Sequence, residues 1–224
     1  HNLETNYSLL FIDMPGHGKT KIKNFSSYND ILSKLSLFIK LFDSSPIYYG
    51  YSMGGRIALQ LALNYMTPKK LILESTGFGL ENSKEQTERL KADEKLFVNI
   101  EQKDITKFLE DWYSMPMFNE FKNHISFKKK CENKHTHDIL EWKDSQKYLS
   151  QGCFPLLDDN LKLLQQLPEL SIIYIYGEND LKYKNNARKI ALTNVQFIKI
   201  KGSGPNPHIT HPTEINTVLT ITLK

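Results

Sequence analysis

The run Gly50-Tyr51-Ser52-Met53-Gly54-Gly55 constrains this chain more than any other feature, because it sets a serine between glycines where two periodicities meet. Ile47 to Tyr51 is a short apolar and aromatic run with strand character, and from about Gly54 to Tyr65 apolar residues recur at helical spacing. A turn leading directly from strand to helix strains its central residue and lifts that side chain clear of the backbone. Glycines on both sides of the serine let the backbones pack closely around it. The bare Gly-x-Ser-x-Gly pattern arises by chance in a chain of this size with a probability of about 5 to 10 per cent. The flanking strand and helix therefore carry the inference that Ser52 is a reactive hydroxyl. The free N–H groups of the helix that follows point at the same place, with the Met53 amide as the expected oxyanion donor.

Short β-rich runs alternate with helical ones on either side of this turn. Leu9 to Asp13 reads as a buried strand and Tyr28 to Phe42 as a helix capped by Ser26 or Ser27, with Ile31, Leu35, Phe38, Ile39 and Phe42 on one face. Leu71 to Glu74, Ser171 to Tyr176 and Val195 to Ile200 read as further strands, and a last helix is expected after Pro212. Such alternation predicts an α/β fold with a mostly parallel sheet flanked by helices, the α/β-hydrolase architecture that the serine elbow belongs to. The stretch 77–150 is charged, helix-prone and rich in aromatics, and it predicts an inserted helical cap between core segments 1–76 and 151–224.

A nucleophilic serine needs a base, and the base needs an orienting acid, arriving later in the chain in the order Ser, Asp, His. Asp180, in the turn Gly177-Glu178-Asn179-Asp180 after an apolar strand, suits the acid. After the strand ending near Ile200 the chain reads Gly202-Ser203-Gly204-Pro205-Asn206-Pro207-His208, and Pro205 stands where the base belongs. Proline cannot transfer a proton, so His208, with His211 as a neighbour, is the expected stand-in.

Taken together, Asp13-Met14-Pro15-Gly16-His17-Gly18, Gly50-Tyr51-Ser52-Met53-Gly54-Gly55-Arg56, Glu88-Arg89, Asp111-Trp112-Tyr113 and Gly177-Glu178-Asn179-Asp180 with Lys182 resemble the 2-succinyl-6-hydroxy-2,4-cyclohexadiene-1-carboxylate (SHCHC) synthases of menaquinone biosynthesis. The resemblance implies a lyase that eliminates pyruvate from 2-succinyl-5-enolpyruvyl-6-hydroxy-3-cyclohexene-1-carboxylate, with the serine acting as a base on a ring proton. It also implies a tricarboxylate substrate held by Arg56 and Arg89, with Tyr51 and Trp112 lining the pocket and Lys129 where the family has a third arginine. A lysine keeps the charge but loses the planar fork of a guanidinium. The family further implies a central strand and a second oxyanion donor ahead of Leu9, so the amino-terminal strands are expected to be missing and the chain to be a fragment, an incomplete reading or a degenerate copy. Two alternatives stand beside the lyase: a serine esterase or thioesterase of the same fold, and a catalytically impaired homologue that binds an anionic ligand.

Composition sets the remaining bounds. The formal charge of +4 arises from 29 basic against 25 acidic residues, with no stripe suited to nucleic acid. Lys128, Lys129 and Lys130 form the densest basic cluster and are expected to be a solvated helix face. Cys131 and Cys153 give no disulfide framework or metal-ligand spacing. With Lys40 breaking the best apolar run, no membrane span is expected. A cytoplasmic enzyme without metal or organic cofactor, acting on a small molecule, follows as the expectation.

Overall fold

The computed structural model describes residues 7–98, 105–134, 138–190, 192 and 194–223. Its centre is a four-stranded sheet in the order β1 (Ile47–Tyr51), β2 (Lys70–Glu74), β3 (Ser171–Gly177), β4 (Val195–Ile200), with every adjacent pair parallel. Parallel neighbours cannot be joined by hairpins, so each connection crosses a face of the sheet. Helix α1 (Tyr28–Lys40) precedes β1, α2 (Met53–Asn64) joins β1 to β2, and α9 (Leu181–Lys189) joins β3 to β4. The chain closes with α10 (Pro207–Thr210) and α11 (Pro212–Thr222).

The period of two along the inner strands sorts the core. Leu71 and Leu73 of β2, with Ile172 and Tyr174 of β3, pack against α1 and α2. Ile72, Ile173 and Ile175 face the other way, onto Ile215 and Leu219 of α11. Both faces of β2 and β3 are thus covered, which is why these strands are nearly continuous apolar runs. Each such buried leucine or isoleucine contributes about 1.5–3 kcal/mol.

Between β2 and β3 the described chain is helical: α3 (Ser83–Leu96), α4 (Ile105–Tyr113), α5 (Asn119–Lys122), α6 (Phe127–Lys134), α7 (Ile139–Leu149) and α8 (Leu157–Gln165). Phe97, Phe108, Tyr113, Phe118, Phe121 and Trp142 form an aromatic cluster of their own there, and Ile209 of α10 packs against it. The loop Asp13–Gly18 docks this helical layer onto the sheet side. A Cβ at Gly16 would lie 2.5 Å from the Glu141 carbonyl of α7, and His17 stands edge-on to Trp142 at 5.7 Å.

Two expectations need correction. Leu9 to Asp13 is not a strand: it joins no ladder, and Leu9 and Phe11 are 56% and 88% exposed. Apolar composition alone does not make a strand, because the extended backbone must find partners for its N–H and C=O groups. In α1, capped by Ser27, the buried face is Ile31, Leu32, Leu35, Ser36 and Ile39. Phe38 and Phe42 lie outside it, 43% and 63% exposed, and pair with each other edge-on at 5.2 Å. None of the described helices is long and apolar enough to cross a membrane.

Candidate active site

β1 delivers Ser52 to the carboxyl edge of the sheet and α2 begins at the next residue. Ser52 adopts φ 50°, ψ −111°, a left-handed conformation that costs a non-glycine residue about 1–3 kcal/mol. The surroundings hold it there: its N–H donates to the Glu74 carbonyl at 2.9 Å, and its own carbonyl accepts the Thr76 hydroxyl at 2.7 Å and the Arg56 amide at 3.2 Å. The Ser52 hydroxyl has no hydrogen-bond partner among the described residues. Met53 opens α2, so its amide is among the first-turn N–H groups that have no intrahelical acceptor.

The glycines of the elbow do different work. A Cβ on Gly50 would sit 2.5 Å from the Gly54 carbonyl, and one on Gly55 would sit 2.7 Å from Thr76, whereas one on Gly54 would meet nothing within 4 Å. Close packing therefore demands glycine at 50 and 55, and the space over Gly54 is open. Gly50→Ala is expected to destabilise by about 1–3 kcal/mol through backbone overlap. Gly54→Ala is expected to be neutral or to stabilise by about 0.5 kcal/mol. Urea midpoints of the two variants check this, and equal losses would contradict the packing assigned to the elbow.

Asp180 caps α9, its Oδ1 accepting the Tyr183 amide at 3.1 Å, and it is only 6% exposed. Its Oδ2 is buried with no hydrogen-bond partner. The turn bearing Asp180 is clamped to the loop bearing Pro205. Asn179 binds the Ser203 carbonyl through its N–H and the Gly202 carbonyl through its side chain, both at 2.9 Å, and a Cβ on Gly177 would strike the Gly204 carbonyl at 2.1 Å.

Burial pushes the Asp180 carboxyl above the usual carboxylate range, against the opposing hydrogen bond from the Tyr183 amide. A raised acid is protonated in the folded state at a pH where the unfolded chain has released its proton. The resulting penalty is absent below the ordinary carboxylate pKa and grows as pH rises through the folded value. Asp180→Asn keeps the cap and removes the charge, so it is expected to stabilise the fold by about 1 kcal/mol at pH 8 and to be neutral near pH 4. Urea unfolding at the two pH values measures this; the same effect at both would exclude a buried charge as its origin.

His208, on α10, stands beside the elbow. Its ring packs edge-on against Tyr51 at 4.4 Å, and its Nδ1 lies 2.8 Å from Glu74 Oε1. Its imidazole is paired with Glu74, and among the described residues it makes no hydrogen bond or ion pair with Asp180. His211 instead bonds the Thr210 hydroxyl at 2.9 Å and lies near Gly202. Tyr51 donates its hydroxyl to Asn206, and burial raises the pKa of that hydroxyl well above its usual value.

Arg56, on the inner side of α2, is 9% exposed, and its Nε is buried without a partner. The guanidinium lies over the Phe154 ring at 5.2 Å. Burial, reinforced by the nearby Arg89, brings its pKa down to about 10, which leaves it charged at neutral pH. Arg89 on α3 pairs through Nε with both Asp93 oxygens at 2.9 Å. Arg89, Lys182 and Lys189 also line a cleft of about 260 Å³, together with Glu81 and Glu85. Neither Ser52 nor Arg56 lines that cleft. Trp112 is half-buried in the aromatic cluster, stacked on Phe108 at 6.1 Å and tilted against Trp142 at 5.7 Å. Lys128 and Lys129 stand exposed on α6, and the side chain of Lys130 lies outside the described residues.

The profile of the α/β-hydrolase fold matches residues 1–212. The chain belongs to the α/β-hydrolase family. Within that family it is 26% identical over 209 residues to a Haemophilus influenzae protein provisionally named 2-succinyl-6-hydroxy-2,4-cyclohexadiene-1-carboxylate synthase, an alignment covering 91% of this chain and 81% of that one. A protein of Escherichia coli O9:H4 bearing the same synthase name is 31% identical over 116 residues, which span 50% of this chain and 45% of that protein. The solved structure of MenH from Staphylococcus aureus superimposes with a TM-score of 0.84 at 26% identity, covering 95% of this chain and 81% of that chain. This α/β-hydrolase is therefore similar to the SHCHC synthases in sequence and in fold.

Glu74, Thr76 and Asn206 were not singled out from the sequence, yet they bind the elbow and its neighbours. One signal was present for Glu74. A carboxylate ends the apolar run Leu71-Ile72-Leu73, at the carboxyl edge where parallel sheets present their functional groups.

Proposed function

We propose that this protein is a lyase of the SHCHC synthase type, eliminating pyruvate from 2-succinyl-5-enolpyruvyl-6-hydroxy-3-cyclohexene-1-carboxylate in menaquinone biosynthesis. The observation that carries this is Arg56: a buried guanidinium with an unpartnered Nε, on the helix that starts at Ser52. A hydrolase for neutral esters has no use for such a cation, whereas a polycarboxylate does. The names of the relatives support the same reaction.

Ser52 then acts as the base that takes the ring proton, and the first-turn amides of α2 with Met53 at their head stabilise negative charge as it develops. Arg89 then supplies a second cation, and Trp112 of the aromatic cluster lines the pocket. The chemistry needs no metal or organic cofactor, since a C–H and a C–O bond break with no change in net oxidation state.

A binding protein without turnover is the second reading, favoured by the unpartnered Asp180 Oδ2 and by Pro205. Incubation with the enolpyruvyl substrate and coupled detection of pyruvate tests the proposal. Steady release at micromolar substrate is expected. Saturable binding without release would leave only the binding reading, and a burst of p-nitrophenol from an activated ester without pyruvate release would favour an esterase.

A further inference from the structure

Glu74 joins the reactive serine to the histidine. Its main-chain carbonyl accepts the Ser52 N–H at 2.9 Å, and its register partner across the sheet is Tyr51. Its side chain is fully buried, and Oε1 accepts the His208 amide at 2.9 Å and faces His208 Nδ1 at 2.8 Å. The remaining oxygen, Oε2, accepts the Tyr49 hydroxyl. We infer that Glu74 and His208 together form the acid–base pair of this site, with Glu74 taking over the orienting role that Asp180 cannot perform opposite a proline.

The hydrogen bonds fix the tautomer. Oε1 already receives a backbone N–H and Oε2 a hydroxyl, so the carboxylate is an acceptor throughout and the shared proton with the imidazole sits on Nδ1. The neutral ring then carries its lone pair on Nε2, which makes no hydrogen bond among the described residues. A carboxylate on Nδ1–H with a free Nε2 is the arrangement a serine base requires. The pair is also held in place: the ring rests on Tyr51, Tyr51 is tied to Asn206 at the start of α10, and the His208 side chain remains 32% exposed on the open side.

The step rests on the proposed lyase reaction and balances within it. The Ser52 hydroxyl proton passes to His208 Nε2, and the serine oxygen takes the ring proton of the substrate. The C–H electron pair enters the new double bond, the C–O bond breaks with its pair on the enolpyruvate oxygen, and that oxygen receives the proton from the imidazolium. Glu74 touches no reacting atom and is a positioning residue.

The test combines kinetics with nitrogen-15 spectra of the imidazole. In the wild-type protein, neutral His208 is expected to carry its proton on Nδ1. Glu74→Gln and His208→Gln are each expected to lower kcat for pyruvate release by about 100-fold or more with KM within about threefold. The double variant should lose little beyond either single one, because the two act as a unit. An Nε2-protonated ring, additive losses, or a Glu74→Gln kcat within about threefold of wild type would each overturn the pair. Pro205→His separates this from the function itself. If the wild type is silent and Pro205→His releases pyruvate, the pair is refuted while the lyase stands; if both are silent, the lyase falls and the pair's role with it.

Discussion

Arg56→Met should make the folded protein more stable and its ligand complex weaker in a single variant. The arginine is buried, lacks a partner at Nε, and is pulled down to a pKa of about 10 by desolvation, so the empty protein holds a cation that water would solvate better. Methionine fills a similar volume without the charge, and relief of such a burden stabilises by about 1–3 kcal/mol. A bound carboxylate reverses the balance, because a desolvated charge-assisted contact is lost and the partner charge is left unpaired. That costs about 2–5 kcal/mol, from roughly 30-fold to several thousand-fold in affinity. Thermal melts with and without a succinyl-bearing tricarboxylate, together with calorimetric titration, read both quantities. A variant that is less stable yet binds as before would make Arg56 a structural residue and remove the main support for an anionic substrate.

Ser52→Ala should lower pyruvate release by about 10³-fold to 10⁶-fold, since a site whose members act as a unit loses nearly everything when the reactive hydroxyl goes. The fold should survive, because the bonds that hold position 52 come from its own backbone N–H and carbonyl, through the Glu74 carbonyl and the Thr76 hydroxyl. Ser52→Gly should be equally inactive and more stable by about 1 kcal/mol, as glycine adopts φ 50° without the penalty borne by a side chain. Release within tenfold of wild type in Ser52→Ala would exclude the serine as the base. A failure of Ser52→Gly to stabilise would show that the elbow is not strained.

The elbow was legible because every determinant of it is local. An apolar strand, a glycine whose Cβ would strike a carbonyl at 2.5 Å, and a helix starting one residue after the serine lie within a single stretch of sequence. The inner strands β2 and β3 were legible because burial on both faces leaves a nearly continuous apolar run. Leu9 to Asp13 shows where such reasoning stops: the same composition stays exposed when no ladder takes it. The faces of α1 show it again, because Phe38 and Phe42 satisfy a helical spacing yet stay exposed.

Sequence by itself determined the fold family, the position of the serine elbow and the absence of a histidine at 205, all of which depend on residue identity and near neighbours. Only the tertiary structure decided the company that Ser52 keeps. Glu74 and His208 lie 134 residues apart and meet because β2 and the α10 loop converge at the same edge of the sheet. The surroundings of Asp180 were likewise decided in three dimensions, where its Oδ1 caps α9 and its buried Oδ2 is left without a hydrogen-bond partner. Pairings across such separations are selected by which groups packing leaves in reach and out of water, and the one-dimensional pattern carries no record of that choice.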